Sequence, residues 1–541
     1  MSYLSTYNGS WSYSEARHLL SRAVFGPSND MIDEAVGLGL TGTIEKLFEE
    51  LPTPGPPLKN VPDGIDRNSI DDPGVKFGET WLNGKPFPEV ETQMLRNRIL
   101  RYRALSLYSW TFLEMYKSGM NIRDKMFVFW HNHFVVGQTQ IPHMEYNYQN
   151  LLRKHALGNF KQLTKDITID TSMLVYLSGN ENSNRAPNEN YSRELLELFT
   201  IGKGELVGPG DYSNYTEEDV IEMAKVLTGW RLRNVLDENF LEPLFLPSRH
   251  TIGSKALSKY FGNVMIQENG PDEYKDLIDV IFQHPECAKF ISRKLYRWFV
   301  NWDINEDIEK NVIEPLAAVV RDNNYEIAPA VRVLLSSEHF FEQTACMIKS
   351  PIDLVLSVTR GMGVDPPQNS VKEEYDYAIA LYSLCAELEQ GLYQHPDVAG
   401  WKAYYQEPLY YKTWINNLLL PKRFDYAKAL IAGGTLMIGN NKYQIPPIVP
   451  VLEIVTKIDN AGSPDILINE LAKRFYNYPI SEEQVAYLKN ILIPGLPDYE
   501  WTVEYNLFLE NPNDINLALS VDSKLRSMIS VMVQMSEFQI I

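Results

Sequence analysis

Two histidines and a run of carboxylates are the side chains in this sequence whose types and spacing best fit chemistry. His131 and His133 stand two apart in FWHNHF, one of the few His-rich places in a chain with 9 histidines among 541 residues. Neutral imidazoles are the usual nitrogen ligands of zinc, iron, copper and manganese, and two on one short stretch lower the entropy of assembling a site. A catalytic metal also wants a third protein ligand and an open position. The segment PNENYSRELLELF offers Glu189, Glu194 and Glu197 around one helix start. At about 100° per residue, Glu194 and Glu197 share a helix face, and Arg193 reaches Glu189 and Glu197 at four-residue steps.

Both features have a second reading. Residues two apart on a helix point about 200° apart, so the two histidines bind one ion only if the helix DKMFVFW ends or bends near Trp130. Otherwise one ring packs in the core and the other faces a loop. The carboxylates are either part of a two-histidine-one-carboxylate site or a solvated ion-pair face with Asn188 capping the helix. Two functions from different classes therefore stand: a metal-dependent oxidoreductase or hydrolase, and a non-catalytic helical scaffold or partner- or glycan-binding protein using these groups as buried polar links.

The other histidines carry less. His18, in Glu15-Ala16-Arg17-His18, matches a spacing that nine histidines and many acids produce by accident, and His155 before Gly158-Asn159 reads as a helix C-terminal cation. His250, His284 and His339 read as structural. The chain has no GxGxxG after a strand, no GxxxxGK[ST], no HExxH and no GxSxG, so nucleotide, P-loop, zincin and common hydrolase chemistries lose their usual support. The aromatic run WKAYYQEPLYYKTW from Trp401 reads as core under a long loop, with glycan binding as the alternative.

The elements that must position these residues are helical. Apolar residues recur at three- and four-residue steps in EARHLLSRAVF, RNRILRYRALSLYSWTFLEMYKSG, DKMFVFWHNHF, DLIDVIFQ and SKLRSMISVMVQM, which predicts a mainly α, large multi-helix globular body with long irregular insertions and few strands. Ser28 and Thr216 are expected helix caps, and Gly202 and Gly204 an expected stop. The sequence divides into an N-terminal helical segment (1–50), a Pro/Gly-rich loop (51–90), a helical core with the site (91–233), an irregular insertion (234–270), a helical module (271–425) and a C-terminal helical module (426–541). The last of these reads as a degenerate repeat, since KLYRWFVNWDINEDIEKNVIEPL and AKRFYNYPISEEQVAYLKNIL share a helix-turn-helix phrase.

Composition narrows the partners. Lys and Arg number 50 against 70 Asp and Glu, a net charge of -20. Such a chain repels phosphate backbones and anionic lipid, so neither nucleic acid nor a membrane surface is the expected main partner. No apolar run reaches the roughly 18 residues a span needs. Three cysteines, Cys287, Cys346 and Cys385, are too few for a disulfide scaffold. The N-terminus lacks the pattern of an export signal.

The segments HLLSRAVFGPS, DKMFVFWHNHFVVG, LLRKHALGNFKQL, APNENYSRELLELFTIGKG, YTEEDVIEMAKVLTGW, FISRKLYRWFV and HPDVAGWKAYYQEPLYYKTWIN follow one another in an order that resembles the large bacterial domain-of-unknown-function 1800 family. The resemblance spans nearly the whole chain. It implies no activity; it implies that relatives are often exported and that a sulfatase-like family is a possible partner. This chain departs from the family pattern in lacking an evident export signal and in having His395-Pro396-Asp397 before VAGW, so the resemblance assigns His395 no role.

Overall fold

The helical periodicity is realised throughout. A computed structural model describes residues 3–541 apart from 65, 210, 235, 236, 238 and 440. It is 56% helical and 7% strand, and the strands among the described residues form four two-stranded antiparallel sheets. The longest hairpin pairs Gly434–Ile438 with Asn441–Ile445. Buried apolar side chains from Ala16 to Phe538 form one connected cluster. No helix is long and apolar enough to cross a membrane among the described residues.

Local chemistry explains the boundaries. Ser28 accepts the Met31 amide to open the Asn29–Leu47 helix, and Thr216 with Asp219 forms a reciprocal capping box ahead of Glu217–Val226. Gly202 and Gly204 both adopt φ 72°, the left-handed conformation that ends a helix. The described residues of 51–88 carry little regular structure: the short 3-10 turn Trp81–Asn83 and the isolated bridges Leu58–Thr80 and Asp72–Val75. The two similar phrases both fold as helix-turn-helix pairs, with Asn305 and Ser481 capping the second helices.

The histidine motif lies on the Arg123–His133 helix, and every residue from Asp124 to His133 is buried. A helix buried on every side runs through the core, so its polar side chains Asp124, Lys125, His131, Asn132 and His133 need partners there. It packs on the Pro142–Lys154 helix, which also meets the long Gln93–Lys117 helix. Two buried ion pairs anchor it: Arg153 Nε lies 3.1 Å from an Asp124 oxygen, and Lys125 Nζ lies 2.6 Å from Asp353 on the Pro351–Val358 helix.

Candidate functional site

The motif helix neither ends nor bends at Trp130. It continues to His133, with Phe134 donating its amide to the Trp130 carbonyl at 2.8 Å. The two imidazoles therefore leave on different sides, and each has its own partners. His131 Nε2 accepts the Tyr393 amide at 3.1 Å. Its Nδ1 lies 3.2 Å from the Tyr148 hydroxyl, which donates to the Phe134 carbonyl at 2.6 Å. A hydroxyl that gives its own hydrogen away must receive one, so His131 carries its proton on Nδ1. On the other side, His133 Nε2 donates to the Phe199 carbonyl at 3.0 Å, which places that proton on Nε2 and leaves Nδ1 buried without a partner among the described residues. Burial holds both rings far below the ordinary histidine range, reinforced by the charges of His395 and Arg153 at His131 and of Lys294 at His133.

This arrangement does not fit one ion shared by the pair. A metal needs an unshared nitrogen lone pair from each ligand, and His131 has none to give. What the motif does is hold chain. Asn132, between the histidines, accepts the Trp401 amide on Oδ1 at 2.7 Å. His131 and Asn132 thus fix both ends of the loop from Tyr393 to Trp401, while His133 fixes the end of the carboxylate helix. Inside that loop His395 packs at a tilt against Trp401, with ring centroids 4.3 Å apart, and its ring centroid lies 4.7 Å from that of His131.

The carboxylate helix is shorter and less regular than the spacing predicted. An α-helical turn, Asn190–Glu194, passes into a π turn, Leu195–Thr200. Asn188 accepts the Asn190 amide at 2.9 Å. Carbonyls at and just after the π turn find side-chain partners: Leu198 accepts Lys294 Nζ at 3.1 Å, Phe199 accepts His133, and Ile201 and Gly202 accept the Asn214 amide at 3.1 and 3.0 Å. Single π turns recur at functional positions because they re-aim side chains within a helix.

The four candidate residues on this helix divide. Arg193 grips Glu217 through two contacts of 2.8 and 2.7 Å, lies 3.1 Å from Glu189 and 3.8 Å from Glu197. Glu189 is thereby an ordinary exposed ion-pair partner. Glu197 also meets Lys203 at 3.3 Å and the Tyr215 hydroxyl. Glu194 differs, because no cation pairs with it among the described residues. Its carboxyl is pushed up from the ordinary range by burial first, then by the charges of Glu197 and Asp397, more than Arg193 and Lys203 pull it down. Asp397 comes from the loop that His131 and Asn132 hold. The half-buried Tyr176 phenol is in the same field: burial, then Asp397 and Glu194, push it up.

Of the remaining residues, the tryptophans of the aromatic run and His155 follow their sequence reading, whereas His250 goes beyond it. Trp401, Tyr410 and Trp414 are 1%, 5% and 4% exposed and belong to the core, while Tyr404, Tyr405 and Tyr411 of the same run are partly exposed. His155 sits at the C-cap of Pro142–Lys154 and pairs with Asp166 at 2.9 Å. His250 gains a partner set that local spacing could not reveal. With Glu268 and Glu273 it forms the one group among the described residues close enough to hold a metal as ligands. That place is filled by an amine: Lys255 Nζ lies 2.5 Å from Glu273 and 3.7 Å from Glu268. The cluster is a charge-balanced knot tying the irregular insertion to the body.

His250 donates through Nδ1 to the Thr228 carbonyl at 2.9 Å and meets Glu273 through Nε2 at 2.9 Å. Burial alone would lower its pKa, but these bonds and the Glu273 charge raise it overall. A raised folded-state pKa gives stability that is complete below the ordinary histidine range and is lost as pH rises through the raised value. Amide exchange in 228–273 should therefore accelerate between pH 6 and pH 8.5 relative to the motif helix, after correction for intrinsic rates; equal protection at both would contradict this.

Comparison with curated proteins and with solved structures finds no match. A family described as "Protein of unknown function" matches residues 18–540, nearly the full length. All seven phrases, including the three that carry the histidine motif, the carboxylate helix and the held loop, fall within that match, and the chain belongs to the DUF1800 family.

Proposed function

We propose that the chain is an enzyme of the acid–base type, with Glu194 as proton donor, Asp397 as the neighbouring carboxylate and Arg193 as the residue that fixes Glu197 beside them. What supports this reading is that the polar side chains of WHNHF hold the HPDVAGW loop, whose Asp397 is among the charges that raise Glu194, a half-buried carboxyl with no paired cation among the described residues. A carboxyl that keeps its proton to higher pH can protonate a leaving group, and a charge beside it that tunes this proton is how paired acids divide such work. The acidic surroundings suit a neutral or cationic substrate over a phosphate. In this reading His131, Asn132 and His133 are positioning residues, and no step runs through a metal held by the two histidines.

The test is turnover of a panel of chromogenic esters, amides and glycosides across pH. Glu194→Gln should lower the rate by about 10²-fold or more with the fold intact. Asp397→Asn removes a charge that raises Glu194, so the basic limb of the pH profile should move to lower pH, which loss of a merely structural contact would not produce. No turnover by the folded parent, or full activity in Glu194→Gln, overturns the reading in favour of the scaffold. That second reading is favoured by a specific observation, namely that Asn132 and one or both nitrogens of each histidine already serve as tertiary links.

A further inference from the structure

A separate pocket of about 400 Å³ opens between the Gln93–Lys117 helix and the start of the Pro142–Lys154 helix, lined among others by Leu100, Arg101, Ala104, Tyr108, Gln138 and Glu145. Glu145 is only 1% exposed. One of its oxygens accepts the Thr139 amide at 2.9 Å and hydroxyl at 3.3 Å. The other has only the Tyr108 hydroxyl, at a long 3.4 Å. No lysine, arginine or histidine pairs with it among the described residues.

Most other core acids are paired or well bonded; Glu537, 8% exposed, also has no cation among the described residues but accepts Gln484 Nε2 at 2.6 Å and Ser536 Oγ at 3.1 Å. Asp72 has Arg103 at 2.6 Å, Asp124 has Arg153, Asp353 has Lys125 and Glu273 has Lys255. Asp219 has no cation, but its oxygens take four donors from Thr216 and Ser258 at 2.7–2.8 Å. A buried carboxylate without a counter-charge is costly, and the usual remedies are a proton or a cation. Glu145 alone of these faces a cavity of a size that takes small ligands.

We propose that this pocket binds a small organic ammonium, with Glu145 as its counter-ion and Tyr108 beside the charged head. An aromatic ring next to a carboxylate is a recurrent ammonium receptor. The net charge of -20 draws such cations towards the surface. Arg101, at the exposed rim, is placed to meet an anionic tail, which makes an amino acid-like ligand the longer member of the class. Burial pushes the Glu145 carboxyl up to about 7, against hydrogen bonds from Thr139 and Tyr108 that pull it down. An ammonium reverses that shift, so binding near neutral pH releases a proton from Glu145.

The experiment is calorimetric titration of the full chain at pH 7 with n-butylamine, 1-butanol and 6-aminohexanoate, in buffers of differing ionisation enthalpy. Saturable binding of butylamine with net proton release, and none of butanol, is expected; tighter binding of 6-aminohexanoate adds Arg101 to the site, and weaker binding confines the site to the ammonium. Glu145→Gln keeps an acceptor for Thr139 and should weaken butylamine tenfold or more. Ala104→Phe, which fills the pocket without touching Glu145, should do the same and covers the case in which the first variant fails to fold. No saturable binding by the folded parent, equal binding of butanol, or unchanged affinity in the folded variants overturns the proposal.

Discussion

Gly400→Ala should unfold at a markedly lower denaturant concentration than the parent, with a loss of about 3 kcal/mol or more. Two costs coincide at this position. Gly400 has φ +101°, which an L side chain rarely adopts. A Cβ there would lie 2.4 Å from Asn132 Oδ1 and 2.6 Å from the Asn132 carbonyl. The loop can relieve that overlap only by moving off the motif helix, which breaks the Trp401–Asn132 bond of 2.7 Å. The displacement should also carry Asp397 away from Glu194, so any pH limb owed to Glu194 should shift as in Asp397→Asn. An unfolding midpoint within experimental error of the parent would show that Asn132 does not hold the loop at Gly400 and Trp401 so closely.

Lys125→Met should cost about 3–5 kcal/mol, the usual result of orphaning one member of a buried pair. Lys125 and Asp353 have side chains 5% and 8% exposed. With the ammonium gone, Asp353 retains the Ser350 hydroxyl at 2.7 Å as its donor. Adding Asp353→Asn removes the stranded charge, so the double variant should lose less than the sum of the single ones. Strict additivity in a double-mutant cycle would contradict a direct pair. The pair matters to the site because Lys125 lies on the motif helix two turns before His131.

Local physics made much of this fold legible beforehand. Caps at Ser28 and Thr216 follow from side-chain acceptors ahead of apolar repeats, and the stops at Gly202 and Gly204 from the left-handed conformation only glycine takes cheaply. The 200° separation of His131 and His133 was already a geometric argument against a shared ion. The π turn was not foreseeable, since Leu195–Thr200 reads as a plain α-helix, and the carbonyls at and just after it find Lys294 and Asn214 only in the folded chain.

The partners that decide function are remote in sequence. Tyr393 is 262 residues from His131, and Trp401 is 269 from Asn132. His250 meets Glu273 across 23 residues of irregular chain, and Lys255 fills a place that spacing alone offers to a metal. Glu145 stands in HMEYNYQ with nothing local to distinguish it; what sets it apart is that, among the described residues, it combines no paired cation and an oxygen with only a long 3.4 Å donor with a place on a cavity wall, a property of the packed core. Hydrophobic period and capping are local and can be read along the chain, whereas charge balance in the interior cannot.

The most direct test of the account is nitrogen NMR of histidine-labelled, deuterated protein, with His131 and His133 assigned through Asn and Gln variants, before and after addition of zinc. The account predicts two neutral rings of opposite tautomer, proton on Nδ1 at His131 and on Nε2 at His133, with the His131 signals unmoved by the metal. Ligation shifts at both rings on adding zinc, or a protonated His131 at neutral pH, would contradict it.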